Sequence, residues 1–140
     1  MEASVMYQYT NTDPCNTIYF SSESPQYVHN YCTTPMHFHE CIELVYFSEV
    51  NAKMWINGSC TTLKGPHIIY IPPMAVHEFI LEGFKGQWFL IQFNEKALGP
   101  YPSDKALPKN PYYRPMDESE YAYVFSFLNW AWDQTQMREK

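Results

Sequence analysis

At 140 residues the chain is long enough for one hydrophobic core and too short for two. Its 15 acidic side chains outnumber 9 basic ones, the only arginines are Arg114 and Arg138, and no lysine or arginine precedes Lys53, so phosphate-rich partners find little on this surface. No apolar run approaches the ~20 residues of a membrane span, and MEASVMYQYTNTDP lacks the basic start and apolar stretch of a secretory leader.

A cytoplasmic chain with no membrane partner is therefore expected. Cys15, Cys32, Cys41 and Cys60 then read as reduced thiols, since their spacing forms neither a CxxC pair nor a zinc-knuckle rhythm. Residues 1–33 are polar, aromatic and irregular, with turn signals at Asp13-Pro14 and Ser24-Pro25, and predict a loose N-terminal arm holding one or two short strands.

From Met36 to Phe93 the texture changes to brief β-branched and aromatic runs: Cys41–Phe47, Met54–Ile56, Cys60–Leu63, Ile68–Ile71, His77–Leu81 and Trp88–Phe93. Several short antiparallel strands without helices between them predict a mainly β barrel or sandwich. Asn57-Gly58 is the sharpest local signal. A two-residue type I′ loop needs φ > 0 at both positions, which this pair tolerates best, so Trp55-Ile56 and Ser59-Cys60 are expected to face each other.

The sheet pattern stops after Asn94, and Gly99 to Pro115 holds five of the 11 prolines, Pro100, Pro102, Pro108, Pro111 and Pro115, which reads as a crossover loop. Asp117-Glu118-Ser119-Glu120 then resembles a capping-box start, and a helix is expected from about Glu118 to near the C-terminus. One apolar stripe on it carries Tyr121, Val124, Phe125, Leu128 and Trp132, and a shoulder carries Tyr123, Phe127, Trp130 and Met137. A helix apolar over so much of its circumference calls for cover on two sides, its own sheet and a second copy, and Tyr123, Phe127, Trp130 and Trp132 are the expected dimer contacts.

The chemistry centres on His37-Phe38-His39-Glu40-Cys41-Ile42-Glu43 and the distant His77. In a continuous strand His37, His39, Cys41 and Glu43 project to one face, and two imidazoles ~6.6 Å apart at Cα can converge on one ion. Glu43 is ~13 Å of backbone from His39, so the strand has to bend or bulge to bring it back. The same residues equally suit hydrogen bonding at a barrel mouth, around an organic ligand. His29 and His67 have no comparable context and read as ordinary polar residues, while Glu40 and Glu78, out of register, are expected to face away.

The run Pro35-Met36-His37-Phe38-His39-Glu40, then Glu43-Leu44-Val45-Tyr46-Phe47, Ile56-Asn57-Gly58, Gly65-Pro66, Tyr70-Ile71-Pro72-Pro73, His77 and Ile91-Gln92-Phe93 resembles the sensing domain of an AraC-type transcription regulator. The resemblance covers about residues 34 to 98. It implies a cupin-type double-stranded β-helix barrel with an N-terminal arm and a C-terminal helix: arm at 1–33, barrel at 34–98, Pro-rich crossover loop at 99–116 and dimerisation helix at 117–140. Such an arm can close over a ligand in the barrel, the helix commonly dimerises the protein, and DNA is bound by a separate helix-turn-helix region that this chain does not include.

Against the metal-cupin pattern, His37, His39, Glu43 and His77 fall on the four ligand positions. Val50 and Met74 stand where that pattern has glycine, and Leu81 where it has asparagine, which weakens the comparison with metalloenzymes. The implied function is effector binding: a small polar, sugar-like metabolite held by His37, His39, Cys41, Glu43 and His77, with no catalysis. The alternative is a metal-dependent dioxygenase or isomerase using His37, His39, Glu43 and His77 around Zn, Ni, Fe or Mn.

Overall fold

The computed structural model describes residues 6–7, 18–23, 35–84, 87–98 and 107–138. Ten strands and one long helix follow in chain order: β1 (Met6–Tyr7), β2 (Ile18–Glu23), β3 (His37–Phe38), β4 (Ile42–Phe47), β5 (Val50–Ile56), β6 (Ser59–Lys64), β7 (His67–Ile71), β8 (His77–Phe84), β9 (Trp88–Phe93), β10 (Tyr112–Pro115) and α1 (Glu118–Arg138), with a 3-10 turn at Glu95–Leu98. They form two five-stranded sheets, ordered β1-β3-β8-β5-β6 and β10-β7-β4-β9-β2. Every pairing is antiparallel except β1 with β3.

Period-two alternation decides which side of each strand is buried. On β4, Val45 and Phe47 turn into the space between the sheets, where they meet Ala52, Met54 and Ile56 of β5, Leu63 of β6, Ile69 and Ile71 of β7, and Leu81 of β8. The opposite side of the second sheet presents Phe20, Tyr46, Ile68, Phe89 and Ile91 to Phe125, Leu128, Tyr121, Val124 and Trp132 of α1. The first apolar stripe of the helix is therefore the one that docks. Of the shoulder, Tyr123, Phe127, Trp130 and Met137 stay between 58% and 79% exposed. Trp132 departs from the expected dimer set: its ring meets Phe20 edge-on with centroids 5.5 Å apart, because its position on the helix falls over the sheet.

The turn chemistry follows from backbone sterics. Asn57 and Gly58 adopt φ of 47° and 86°, and Trp55↔Cys60 and Ile56↔Ser59 pair across them. Asn57 also accepts a hydrogen bond from the Val76 backbone at 3.0 Å through Oδ1 and donates its own N–H to the Val76 carbonyl at 2.8 Å, which ties this hairpin to the residue before His77. Asp117 caps α1, its Oδ1 accepting the Glu120 N–H at 2.8 Å. The Glu120 carboxylate does not close the box back onto Asp117 but takes two hydrogen bonds from Arg114, the shorter at 2.5 Å, and so joins the helix start to β10.

Two edge strands come from outside the expected barrel. β2, from the expected arm, pairs along its whole length with β9, and β10, from the expected crossover loop, pairs with β7. Pro115 is tolerated because β10 is an edge with one side unpaired. The rest of that loop through residue 106 and most of the arm, with Cys15, His29 and Cys32, lie outside the described residues. Among the described residues Cys41 is buried and Cys60 exposed, neither is in a disulfide, and no helix is long and apolar enough to cross a membrane.

Met74 is the one described residue other than Asn57 and glycine with a left-handed backbone, at φ 67°. It stands where the resemblance implies glycine, so the loop keeps the backbone shape while the sequence has lost the residue that fits it most easily. Its N–H reaches the His39 carbonyl at 2.8 Å, and its side chain is half exposed. The left-handed region costs an L-residue about 1–2 kcal/mol, and glycine loses about 0.5–1 kcal/mol more backbone entropy on folding. Met74→Gly is therefore expected to stabilise the fold by about 0.5–1 kcal/mol in urea unfolding. A loss of stability would show that the methionine side chain contributes packing that outweighs its strain.

Candidate functional site

The histidine-rich stretch does not run as one strand. His37 sits in β3 of the first sheet, residues 39–41 leave the sheet, and Glu43 lies in β4 of the second. This crossing supplies the bend that a straight strand lacks and folds Glu43 back toward the imidazoles. His77, at the start of β8, is the register partner of His37. The result is a compact group in which one ring nitrogen each from His37, His39 and His77 lies within 4.8 Å of the others.

Each ring is anchored from behind. His37 and His77 donate Nδ1–H to the carbonyls two residues earlier, Pro35 and Ala75, both at 2.8 Å, and His39 donates to the Cys41 carbonyl at 3.1 Å. These bonds orient the rings and leave the Nε2 atoms free of the backbone. The Nε2 atoms of His39 and His77 are buried without a hydrogen-bond partner. Glu43 Oε2 is 3.0 Å from His77 Nε2 and Oε1 is 3.9 Å from His39 Nε2, both ion-pair distances. Gln92 of β9 donates its Nε2–H to Glu43 Oε1 at 3.0 Å.

These groups form one end of a cavity of about 130 Å3 between the sheets. His37, Glu43, His77 and Gln92 line that end, and Val45, Phe47, Phe79, Leu81, Trp88 and Leu90 form the remaining wall. Cys41 is buried behind the His39 ring, its Sγ 3.3 Å from Nδ1, and does not face the cavity with Glu43. The turn at 39–41 breaks the alternation that places these side chains on one face. His67 is on β7, donates to the Gly65 carbonyl at 3.2 Å and stands apart from the group, and Glu40 is exposed. Gln92 belongs to the site although the sequence alone does not mark it. Its signal is a polar side chain at an inward position of a strand whose other inward residues are Trp88 and Leu90.

Burial lowers the basicity of His37 and His39 below the usual 6.5, with the neighbouring His77 adding to the effect in both. Burial alone pushes the Glu43 carboxyl up, but His77, His39 and the Gln92 N–H together outweigh it and hold Glu43 below the usual 4.5. All three shifts act in one direction. As pH falls through 6.5 the unfolded chain takes up protons at His37 and His39 before the folded one does, and below 4.5 it does so at Glu43. The Tm of chelator-treated protein is expected to fall steadily from about pH 6.5 downward, and a flat profile to about pH 5 would contradict these environments.

The donor set also fits a divalent metal. Imidazoles held through Nδ1 by carbonyls, with buried Nε2 atoms and a carboxylate beside them, are the arrangement that metal-binding histidines adopt.

Two facing, mainly antiparallel sheets around a histidine-lined cavity, with a C-terminal helix outside, make this a cupin-type barrel. The fold is similar to that of ToxT from Vibrio cholerae in its unsaturated-fatty-acid-bound form, with a TM-score of 0.53 and 9% identity over 91% of this chain and 50% of that one. The chain thus spans half the length of ToxT. An RmlC-like cupin from Shewanella frigidimarina gives a TM-score of 0.48 and 11% identity over 59% of this chain and 72% of that one. Rru_A2000 of Rhodospirillum rubrum, a cupin-2 domain, gives 0.42 and 11% over 85% and 68%. At such identities the likeness establishes the fold alone. No protein-family profile and no curated protein matches the sequence.

Proposed function

We propose that this chain is the effector-binding and dimerisation part of an AraC-type transcription regulator, acting in the cytoplasm as a binding module without catalysis of its own. The observation that carries the reading is the cavity between the sheets, polar at the histidine end and apolar elsewhere, which suits a small organic guest. With six apolar side chains in that wall, the guest has an apolar body as well as a polar head, and a fully hydroxylated sugar leaves much of the wall unmatched. ToxT carries an unsaturated fatty acid; a space of about 130 Å3 is short of room for a long acyl chain.

Transmission has a physical route. β1 of the arm pairs directly with β3, the strand that carries His37, and Tyr7 packs edge-on to Phe38 with centroids 5.4 Å apart. A guest favours one arrangement of the arm only if it binds that arrangement more tightly. On α1, Tyr123, Phe127, Trp130 and Met137 are spaced four, three and seven residues apart, the rhythm of a helix–helix seam, and we assign this face to a second copy of the chain. DNA is contacted only through a region outside this chain.

The metal-dependent enzyme is the second reading, favoured by the buried unpartnered Nε2 atoms of His39 and His77. His37, His39, His77 and Glu43 would hold the ion, which when bound supplies Lewis acidity. The chain's own residues offer the rest of such a reaction little: Gln92 holds Glu43, and the remaining wall is apolar and can exclude water but not move a proton.

Elemental analysis together with native mass spectrometry of protein purified without chelators separates the two. The regulator reading expects a substoichiometric organic adduct and little metal. One metal ion per chain with no organic adduct would overturn it in favour of the enzyme.

A further inference from the structure

Three aromatic rings, Phe47, Phe79 and Trp88, line the cavity between the sheets. Phe47 is buried and stands steeply inclined to both neighbours, its ring centroid 5.7 Å from Phe79 at 74° and 5.5 Å from Trp88 at 82°. A flat ring laid parallel to Phe47 therefore meets the other two near edge-on, and one laid parallel to either of those meets Phe47 in the same way. Stacked and edge-on contacts are both favourable between aromatic rings, whereas an aliphatic body gains only its burial.

The aromatic wall runs directly into the polar end, because the Phe79 ring lies edge-on to His77 with centroids 6.4 Å apart. That end is lined by His37, Glu43, His77 and Gln92. A hydroxyl both gives and accepts a hydrogen bond, so it finds a partner among these groups whichever of them carry protons. Attached to the ring itself, it needs no spacer to reach them. A charged head costs more to take out of water beside so apolar a wall.

Size sets the other limit. An apolar cavity of about 150 Å3 takes benzene, and this one measures about 130 Å3, room for one ring and not for two fused rings. Trp88 is the largest side chain of the wall and packs on Phe47, so it bounds the space that a second ring needs.

We propose that the barrel binds a single-ring aromatic alcohol of the phenol class, its ring among Phe47, Phe79 and Trp88 and its hydroxyl at the His77 end, with Trp88 setting the size limit. This rests on the effector-binding reading and names the chemical class of the effector.

The test is isothermal titration of chelator-treated protein with phenol, cyclohexanol and 2-naphthol. On an open apolar surface the larger ring system binds more tightly, since it takes more area out of water; in a cavity one ring in size the order inverts. Phenol is expected to bind at least about threefold more tightly than cyclohexanol, the worth of its aromatic contacts. It is expected to bind at least about tenfold more tightly than 2-naphthol, which has to force the wall apart. Trp88→Leu is expected to reverse that second order, so that 2-naphthol binds more tightly than phenol. Should the variant fail to fold by circular dichroism, Leu90→Ala opens the same wall and gives the same readout. Cyclohexanol binding as tightly as phenol overturns the aromatic class, and 2-naphthol binding the unaltered protein more tightly than phenol overturns the size limit; both leave the effector reading standing. Phenol still preferred to 2-naphthol in the opened variant overturns the assigned position. No binding of any probe overturns the proposal, and the effector reading falls with it if the purified protein carries one metal ion per chain and no organic adduct.

Discussion

Phe89→Ala is expected to lower the free energy of unfolding by about 3–5 kcal/mol, a large part of what a domain this size possesses. Phe89 is fully buried on the outer side of β9, where its ring stacks on Phe20 and tilts against Phe125 of α1, both with centroids 5.6 Å away. It is thus the side chain through which an edge strand, the central sheet and the helix meet. Truncation leaves a hole that neighbours on three rigid elements cannot close, so the cavity contribution adds to the lost burial. In urea the midpoint should fall with little change in slope. A cost below about 1 kcal/mol would show that the helix is not held on the sheet through this ring.

The second large effect concerns assembly. Phe127→Glu combined with Trp130→Glu is expected to convert the proposed dimer to monomers on a sizing column while leaving Tm within a few degrees. Both side chains are more than half exposed, and their rings lie 6.0 Å apart on the face of α1 turned away from the barrel. Placing two charges in an apolar seam opposes association without touching the core that Phe125 and Leu128 form. Trp132→Glu should do the reverse and lower Tm, because that ring packs on Phe20. Unchanged elution of the double variant would remove this face as the interface.

Much of the sheet structure was legible because β4, β7 and β9 are short β-branched and aromatic runs, because apolar and polar residues alternate along β5, and because Asn57-Gly58 has few conformations other than the turn it makes. The start of α1 was equally plain in Asp117 and the periodicity after it. β2 and β10 were not assigned to the barrel. Ser21, Ser22, Arg114 and Pro115 carry no buried alternation of their own, and their partners β9 and β7 impose the extended form. His37, His39, Glu43 and His77 could be picked out by residue type, but the turn at 39–41 that places them in two sheets is set by tertiary pairing, including the Met74 hydrogen bond to His39, and has no local sequence signal. The same turn removed Cys41 from the face it would share in a straight strand. Trp132 lies on the stripe that docks, and its place among the expected dimer contacts reflects that periodicity sets a side chain around a helix without saying where the sheet below it ends.

The account turns on the three imidazoles being anchored through Nδ1–H beside Glu43. Long-range proton–nitrogen correlation spectra of 15N-labelled, chelator-treated protein near neutral pH read the tautomer of each ring directly. His37, His39 and His77 are expected in the Nδ1–H form, held there by the Pro35, Cys41 and Ala75 carbonyls. Nε2–H tautomers, or a rapidly exchanging mixture at these three positions, would contradict it.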